Sequence, residues 1–162
     1  DANPGITTLR LDLGPGSDDD DANLSLGRMV HARGLNTRVP DFEDSDNDGD
    51  PEQGLIASGA VDLFLAGRTR TLGSMACVGV HSWAAEDGLE GGDLPPDDPE
   101  HDPYLSYFRD IGYAHGEAFY FYTLGAASAD GIFYMTPDDL RRFNVATEPH
   151  NGTDCPLPDE RS

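Results

Sequence analysis

The stretch that decides the reading runs from Leu55 to Trp83: L-I-A-S-G-A-V-D-L-F-L-A-G-R-T-R-T-L-G-S-M-A-C-V-G-V-H-S-W. Residues 58–66 predict a short apolar helix with Ser58 at its head, and Gly67 stands where a left-handed cap would close it. Ala76 to Val80 alternate as a strand does and deliver His81 at the strand's end. A serine entering a helix has two readings. Most such serines accept a first-turn amide and cap the helix. The other reading is chemical. Free first-turn N–H groups and the positive end of the helix dipole favour an oxyanion beside the hydroxyl, and a histidine on the next strand serves as base.

Upstream, Ile6 to Leu13 alternates and is rich in strand formers, and G-P-G-S at 14–17 is a turn by composition. Asp18 to Asp21 set carboxylates at the start of a helix over Ala22–Arg33, ended by Gly34, and Asn36–Val39 is a second strand. A strand, turn, helix and strand in this order belong to an α/β fold with an open, mostly parallel sheet flanked by helices. Downstream come a short strand near Thr69–Leu72 and a surface loop or lid over 86–103. Helices follow over 104–111 and 115–126, then a strand at Ile132–Met135. Thr136-Pro137-Asp138-Asp139 is a strong helix start. The aromatic run Phe119 to Tyr122 reads as core or subunit interface, because such rings bury large areas. One domain over 1–147 is expected, with an acidic insertion at 40–54 and an irregular tail at 148–162.

The 162 residues carry 31 acids against 10 bases, a net charge of −21, and every base is arginine. Such a surface repels nucleic acid and anionic membranes and suits cations or high salt, which points to a halophilic or marine source. No run approaches the roughly 20 apolar residues of a membrane span, and no targeting motif is visible. The abrupt opening D-A-N-P-G just before a strand suggests trimming at the N-terminus. Cys77 and Cys155 allow one disulfide, or leave Cys77 as a buried thiol in a core strand.

Inside the insertion, Asp44-Ser45-Asp46-Asn47-Asp48-Gly49-Asp50 sets carboxylates at alternate positions ahead of a turn-forming glycine. That is the first half of an EF-hand-type loop, with Asp44, Asp46 and Asp48 giving side-chain oxygens and Asp50 its carbonyl to Ca2+. Leu55 falls where the closing glutamate belongs, so a remote acid would have to complete the set. No organic cofactor is indicated. A solvated acidic loop is the alternative.

Four segments then follow in order: L-D-L-G-P-G-S, A-N-L-S-L-G-R-M-V-H-A-R-G-L-N-T-R-V, A-S-G-A-V-D-L-F-L-A-G and V-G-V-H-S-W. Together they resemble the ClpP/crotonase superfamily, especially its ClpP-like proteins predicted to be periplasmic. The resemblance extends from about Leu9 to Val145. It implies a sheet of repeated β-β-α units and a serine peptidase or related hydrolase acting on a peptide or acyl substrate. Ser58 falls on the nucleophile and His81 on the base; Asp130, in D-G-I-F-Y-M-T-P, falls on the acid that orients it. The oxyanion amides map to Gly16 or Ser17 and to Gly59. A periplasmic or extracellular location and assembly with further copies of the chain are implied in the same way. Ser17 stands at the family's second glycine, and Asp62 interrupts a helix that is apolar in the family. Two rival readings are a crotonase-like acyl-group enzyme using only the oxyanion hole and a secreted, calcium-stabilised binding module with a vestigial triad.

Overall fold

The computed structural model describes residues 4–43, 52–85, 87–149, 152 and 155–160. The chain repeats one pattern of two strands and a helix. β1 (Thr8–Arg10) and β2 (Leu13–Gly14) precede α1 (Asp20–Ala32). β3 (Asn36–Val39) leads past a small hairpin, β4 (Phe42–Glu43) with β5 (Glu52–Gln53), into β6 (Leu55–Ala57) and α2 (Gly59–Leu65). β7 (Arg70–Leu72) and β8 (Cys77–Val80) then repeat the strand pair.

Each repeat gives its first strand to one sheet and its second to another. The first sheet has the order β1-β3-β7; the second, β2-β6-β8, is extended by β9 (Phe133–Tyr134). Pairing is parallel throughout the repeats, and only β8–β9 and the β4–β5 hairpin are antiparallel. The protein is therefore α/β with open, mostly parallel sheets. The single strand expected over Ile6–Leu13 is two strands because it serves both sheets. Leu11 donates its amide to Arg38 in the first sheet at 2.8 Å, while the Asp12 carbonyl accepts from Leu55 in the second at 3.1 Å.

Local chemistry explains the helices. Asp19 caps α1 by accepting the Ala22 amide at 2.9 Å, and Asp20 and Asp21 occupy the first turn, where the dipole favours anions. The helix start expected at Thr136-Pro137 is the head of α5 (Pro137–Arg142), where Thr136 and Asp139 also form a reciprocal capping box. α3 (Asp102–Asp110) and α4 (Gly116–Ala126) cover the second sheet's cavity side with rings from Tyr107, Phe108, Phe119 and Tyr120, all buried. Ile56, Phe64, Leu65 and Val78 fill the space between α2 and the sheets.

Gly67 differs from its expected role. It is not among the residues with positive φ. Glycine is needed there because the Thr37 side chain packs where a Cβ would lie, its hydroxyl donating to the Phe64 carbonyl at 2.7 Å. Cys77 and Cys155 are disulfide-bonded with Cα atoms 5.2 Å apart, which settles the open alternative. The bond fastens the tail beside β8. Glu160 and Ile132 exchange backbone hydrogen bonds, and Asp159 accepts the Tyr134 amide at 2.9 Å, so the tail is irregular yet attached to β9. Among the described residues no helix is long and apolar enough to cross a membrane.

Candidate active site

Ser58 links β6 to α2 with φ 52° and ψ −131°, a conformation rarely adopted by a residue with a side chain. Both neighbours enforce it. Its amide donates to the Gly79 carbonyl at 3.1 Å, prolonging the β6–β8 pairing, and its own carbonyl accepts the Val61 amide at 2.9 Å, opening the helix. A capping serine would sit in the extended region with its hydroxyl on a first-turn amide. Ser58 makes no side-chain capping bond. It stands on a sharp strand-to-helix elbow and lines a cavity, the setting in which a serine can serve as a nucleophile.

The turn at 14–17 meets this elbow. Gly16 has φ 135°, and a Cβ there would stand 3.1 Å from the Ser58 Cβ and 3.4 Å from its Oγ. Only glycine gives the backbone that approach. Ser17 needs no such freedom. Its hydroxyl folds back on Asp19, accepting that amide at 3.2 Å, so a side chain at the family's second glycine is accommodated. A Cβ on Gly59 would lie 3.1 Å from the Ser17 Cβ, and Asn23 Nδ2 donates to the Gly59 carbonyl at 2.8 Å. The turn at Gly16 and Ser17 thus lies against the Ser58–Gly59 elbow.

Ser58 and His81 line the same cavity, of about 60 Å³. No direct hydrogen bond joins them. The His81 Nδ1–H donates to the Ser82 carbonyl at 2.7 Å, and since a carbonyl only accepts, Nδ1 carries the proton and Nε2 keeps its lone pair. The Ser82 carbonyl is itself held firmly. Ser82 is fully buried, its amide donates to Ala127 at 2.9 Å, and its hydroxyl accepts the Gly92 amide at 3.2 Å. Asp130 was the expected orienting acid. It is exposed on the 128–131 turn, and the imidazole's Nδ1 partner is a backbone carbonyl instead.

No family model matches the chain, and neither does any curated protein or solved structure.

The far wall of the cavity was not foreseen. Trp83, Tyr104 and Tyr120 form a stacked column, with ring centroids 6.1 Å apart for the first pair and 5.2 Å for the second. Behind it Trp83 Nε1–H donates to the Tyr120 hydroxyl at 2.8 Å, and that hydroxyl donates to His101 Nδ1 at 2.9 Å. His101 Nε2–H in turn donates to the Pro95 carbonyl at 3.1 Å. Indole only donates and a carbonyl only accepts, which fixes the two ends of the chain. His101 is completely buried and ties the Pro95 backbone to the cavity wall.

Asp62 lines the cavity one helical turn beyond Ser58. Burial among apolar and aromatic atoms, and then the neighbouring Asp20, push its carboxyl up to about 8. By surface area it is only part-buried, so the density of apolar atoms around the carboxyl, more than full enclosure, sets this shift. The Tyr104 hydroxyl donates to Asp20 at 2.5 Å, and its own ionisation is driven upward by burial and by that bond. An acid four residues after the serine, inside an apolar helix, was the signal in the sequence. His101 left none.

Among the described residues no group of three or more His, Cys, Asp or Glu is arranged to hold a metal ion. Asp44, Asp46, Asp48 and Asp50 lie outside the described residues.

Proposed function

We propose that the chain is a serine hydrolase of peptidase type, built on a ClpP/crotonase-like domain. The observation that carries this reading is the strained elbow at Ser58, with φ 52° and its hydroxyl unspent on capping, in one cavity with His81. The two-sheet β-β-α repeat supports the family resemblance. In the reaction, a Ser58 Oγ–C bond forms as the hydroxyl proton passes to His81 Nε2. The carbonyl π pair moves onto oxygen, where the amides of Gly59 and of Gly16 or Ser17 receive it. Collapse breaks the C–N bond, and the imidazolium gives its proton to the departing amine. Water then repeats the sequence, releasing the acid and restoring Ser58. The Ser82 carbonyl performs the orienting task that a carboxylate performs in a triad, holding the proton on Nδ1.

A panel of chromogenic esters and peptide amides tests the reading. Turnover should be measurable in the wild type and fall about 10⁴-fold or more in Ser58→Ala and His81→Ala, as expected when nucleophile and base act as a unit. Hydrolysis that survives Ser58→Ala undiminished would refute it. Calcium at Asp44–Asp50 is proposed on ligand spacing alone, as a structural ion. A melting temperature that rises with calcium, but not with inert salt of equal ionic strength, is the expected outcome. The disulfide fits an oxidising compartment, periplasmic or extracellular.

A further inference from the structure

We propose that the cavity beside Ser58 is the subsite for a lysine side chain, carried by the residue whose carbonyl Ser58 attacks, with its ammonium bound by Asp62. The inference rests on the hydrolase reading and adds the substrate class to it. Three observations converge.

Length comes first. Asp62 follows Ser58 by four residues, from the N-cap into the first turn of α2, a rise of about 6 Å, and both residues line the one cavity. A lysyl chain of five bonds, each about 1.5 Å, also reaches roughly 6 Å from its Cα. An acyl carbon on Ser58 Oγ would therefore set the ammonium beside the Asp62 carboxyl.

Shape is the second. The cavity of about 60 Å³ has room for a few water-sized groups. That volume suits a slender unbranched chain better than an aromatic ring. Tyr104 and Tyr120 line the cavity, and the carbon edges of their stacked rings are apolar surface against which methylenes can be buried.

Charge is the third. Asp62 makes no side-chain hydrogen bond to the described residues, and Asp20 lines the same cavity. Neither lysine nor arginine is among the lining groups, and His81 is the one imidazole there. Two carboxyls facing one small space without a fixed positive charge favour a cationic ligand. The whole chain, at −21, steers cationic substrates toward its surface in the same sense.

Binding of the ammonium requires the Asp62 carboxylate, whereas burial holds that group protonated up to about pH 8. Affinity should therefore increase with pH, by roughly 25-fold from pH 6.5 to 8.5, as the proton is released. The other titratable groups facing Asp62 are Asp20 from α1, Tyr104 and Tyr107 from α3, Tyr120 from α4, and His81 after β8. The three tyrosines are all pushed upward and stay protonated in this range.

The test compares Nα-acetyl-lysinamide with its uncharged isostere Nα-acetyl-norleucinamide by calorimetry on the whole protein, at pH 6.5 and 8.5. Fluorophosphonate modification of Ser58 is scored in parallel. The lysine compound should bind at least tenfold tighter at pH 8.5, with the preference shrinking at pH 6.5 and vanishing in Asp62→Asn. Equal binding of the two compounds overturns the subsite, even if Ser58 is modified and the hydrolase reading stands. Lysine preference without modification of Ser58 upholds the subsite and overturns the hydrolase reading. A lysine preference that persists in Asp62→Asn also overturns the assignment, since the cation would then be held elsewhere.

Discussion

The two walls of the cavity have different origins. The Ser58 wall is assembled by the backbone: a strand, a sharp elbow, a helix, and a glycine turn that lies against it. The facing wall is assembled by side chains from separate elements, with Trp83 after β8, His101 and Tyr104 at the head of α3, and Tyr120 on α4. Ser58 is thus placed by sheet pairing, which is cooperative and rigid. What those atoms face is placed by ring packing and one hydrogen-bonded chain from Trp83 to Pro95.

Perturbing each wall separately should show this division. The largest effect is expected at the backbone wall's anchor. Reducing Cys77–Cys155, which are 78 residues apart, frees a long loop in the unfolded chain and should cost about 4 kcal/mol. Denaturation midpoints with and without reductant measure it.

Asp62→Asn comes next and separates function from stability. The folded carboxyl holds its proton up to about pH 8, well above an unfolded aspartate near 3.9. The native state therefore binds the proton more tightly, and the stability this contributes is full below about pH 4 and lost as pH rises through 8. Asparagine has no such loss. The variant should match the wild type near pH 4 and exceed it by on the order of 3 kcal/mol at pH 9, since a unit is worth about 1.4 kcal/mol and relaxation absorbs part. A constant difference across pH would show that Asp62 is solvated.

Tyr120→Phe breaks the side-chain wall. It leaves the Trp83 indole N–H and the buried His101 Nδ1 without their partner, and should cost about 1–3 kcal/mol. Urea unfolding reads the loss. A neutral result would mean that the relay from Trp83 to His101 is not formed in solution.

The smallest effect belongs outside both walls. Asp130→Asn should change turnover by less than about twofold, because the His81 tautomer is fixed by the Ser82 carbonyl. A fall of 10³-fold or more, as expected for an orienting carboxylate, would return that role to Asp130.

The same division governs how much could be read from the sequence. Elements set by local backbone chemistry are legible: the Asn36–Val39 strand and the helix start at Thr136-Pro137. Alternation showed β propensity over Ile6–Leu13 but could not show the change of sheet at Leu11 and Asp12, which depends on partners far along the chain. Gly67 was assigned to a left-handed turn because that is its commonest local use. The actual constraint is Thr37, thirty residues earlier and visible only once β3 and α2 are packed. Asp130 stood at the right place in order, yet the orienting acceptor is a main-chain carbonyl, which no side-chain pattern reports. His101 carries no signal in the sequence because its partners, Tyr120 and the Pro95 carbonyl, share no spacing with it.

The central claim is that Ser58 is an activated nucleophile because its elbow exposes the hydroxyl to His81. Intact-mass and peptide mass spectrometry after exposure to a fluorophosphonate test it most directly. The account predicts one adduct, located on Ser58, absent from Ser58→Ala and formed at least a hundredfold more slowly in His81→Ala. An unmodified Ser58, or an adduct forming at the same rate without His81, would contradict it.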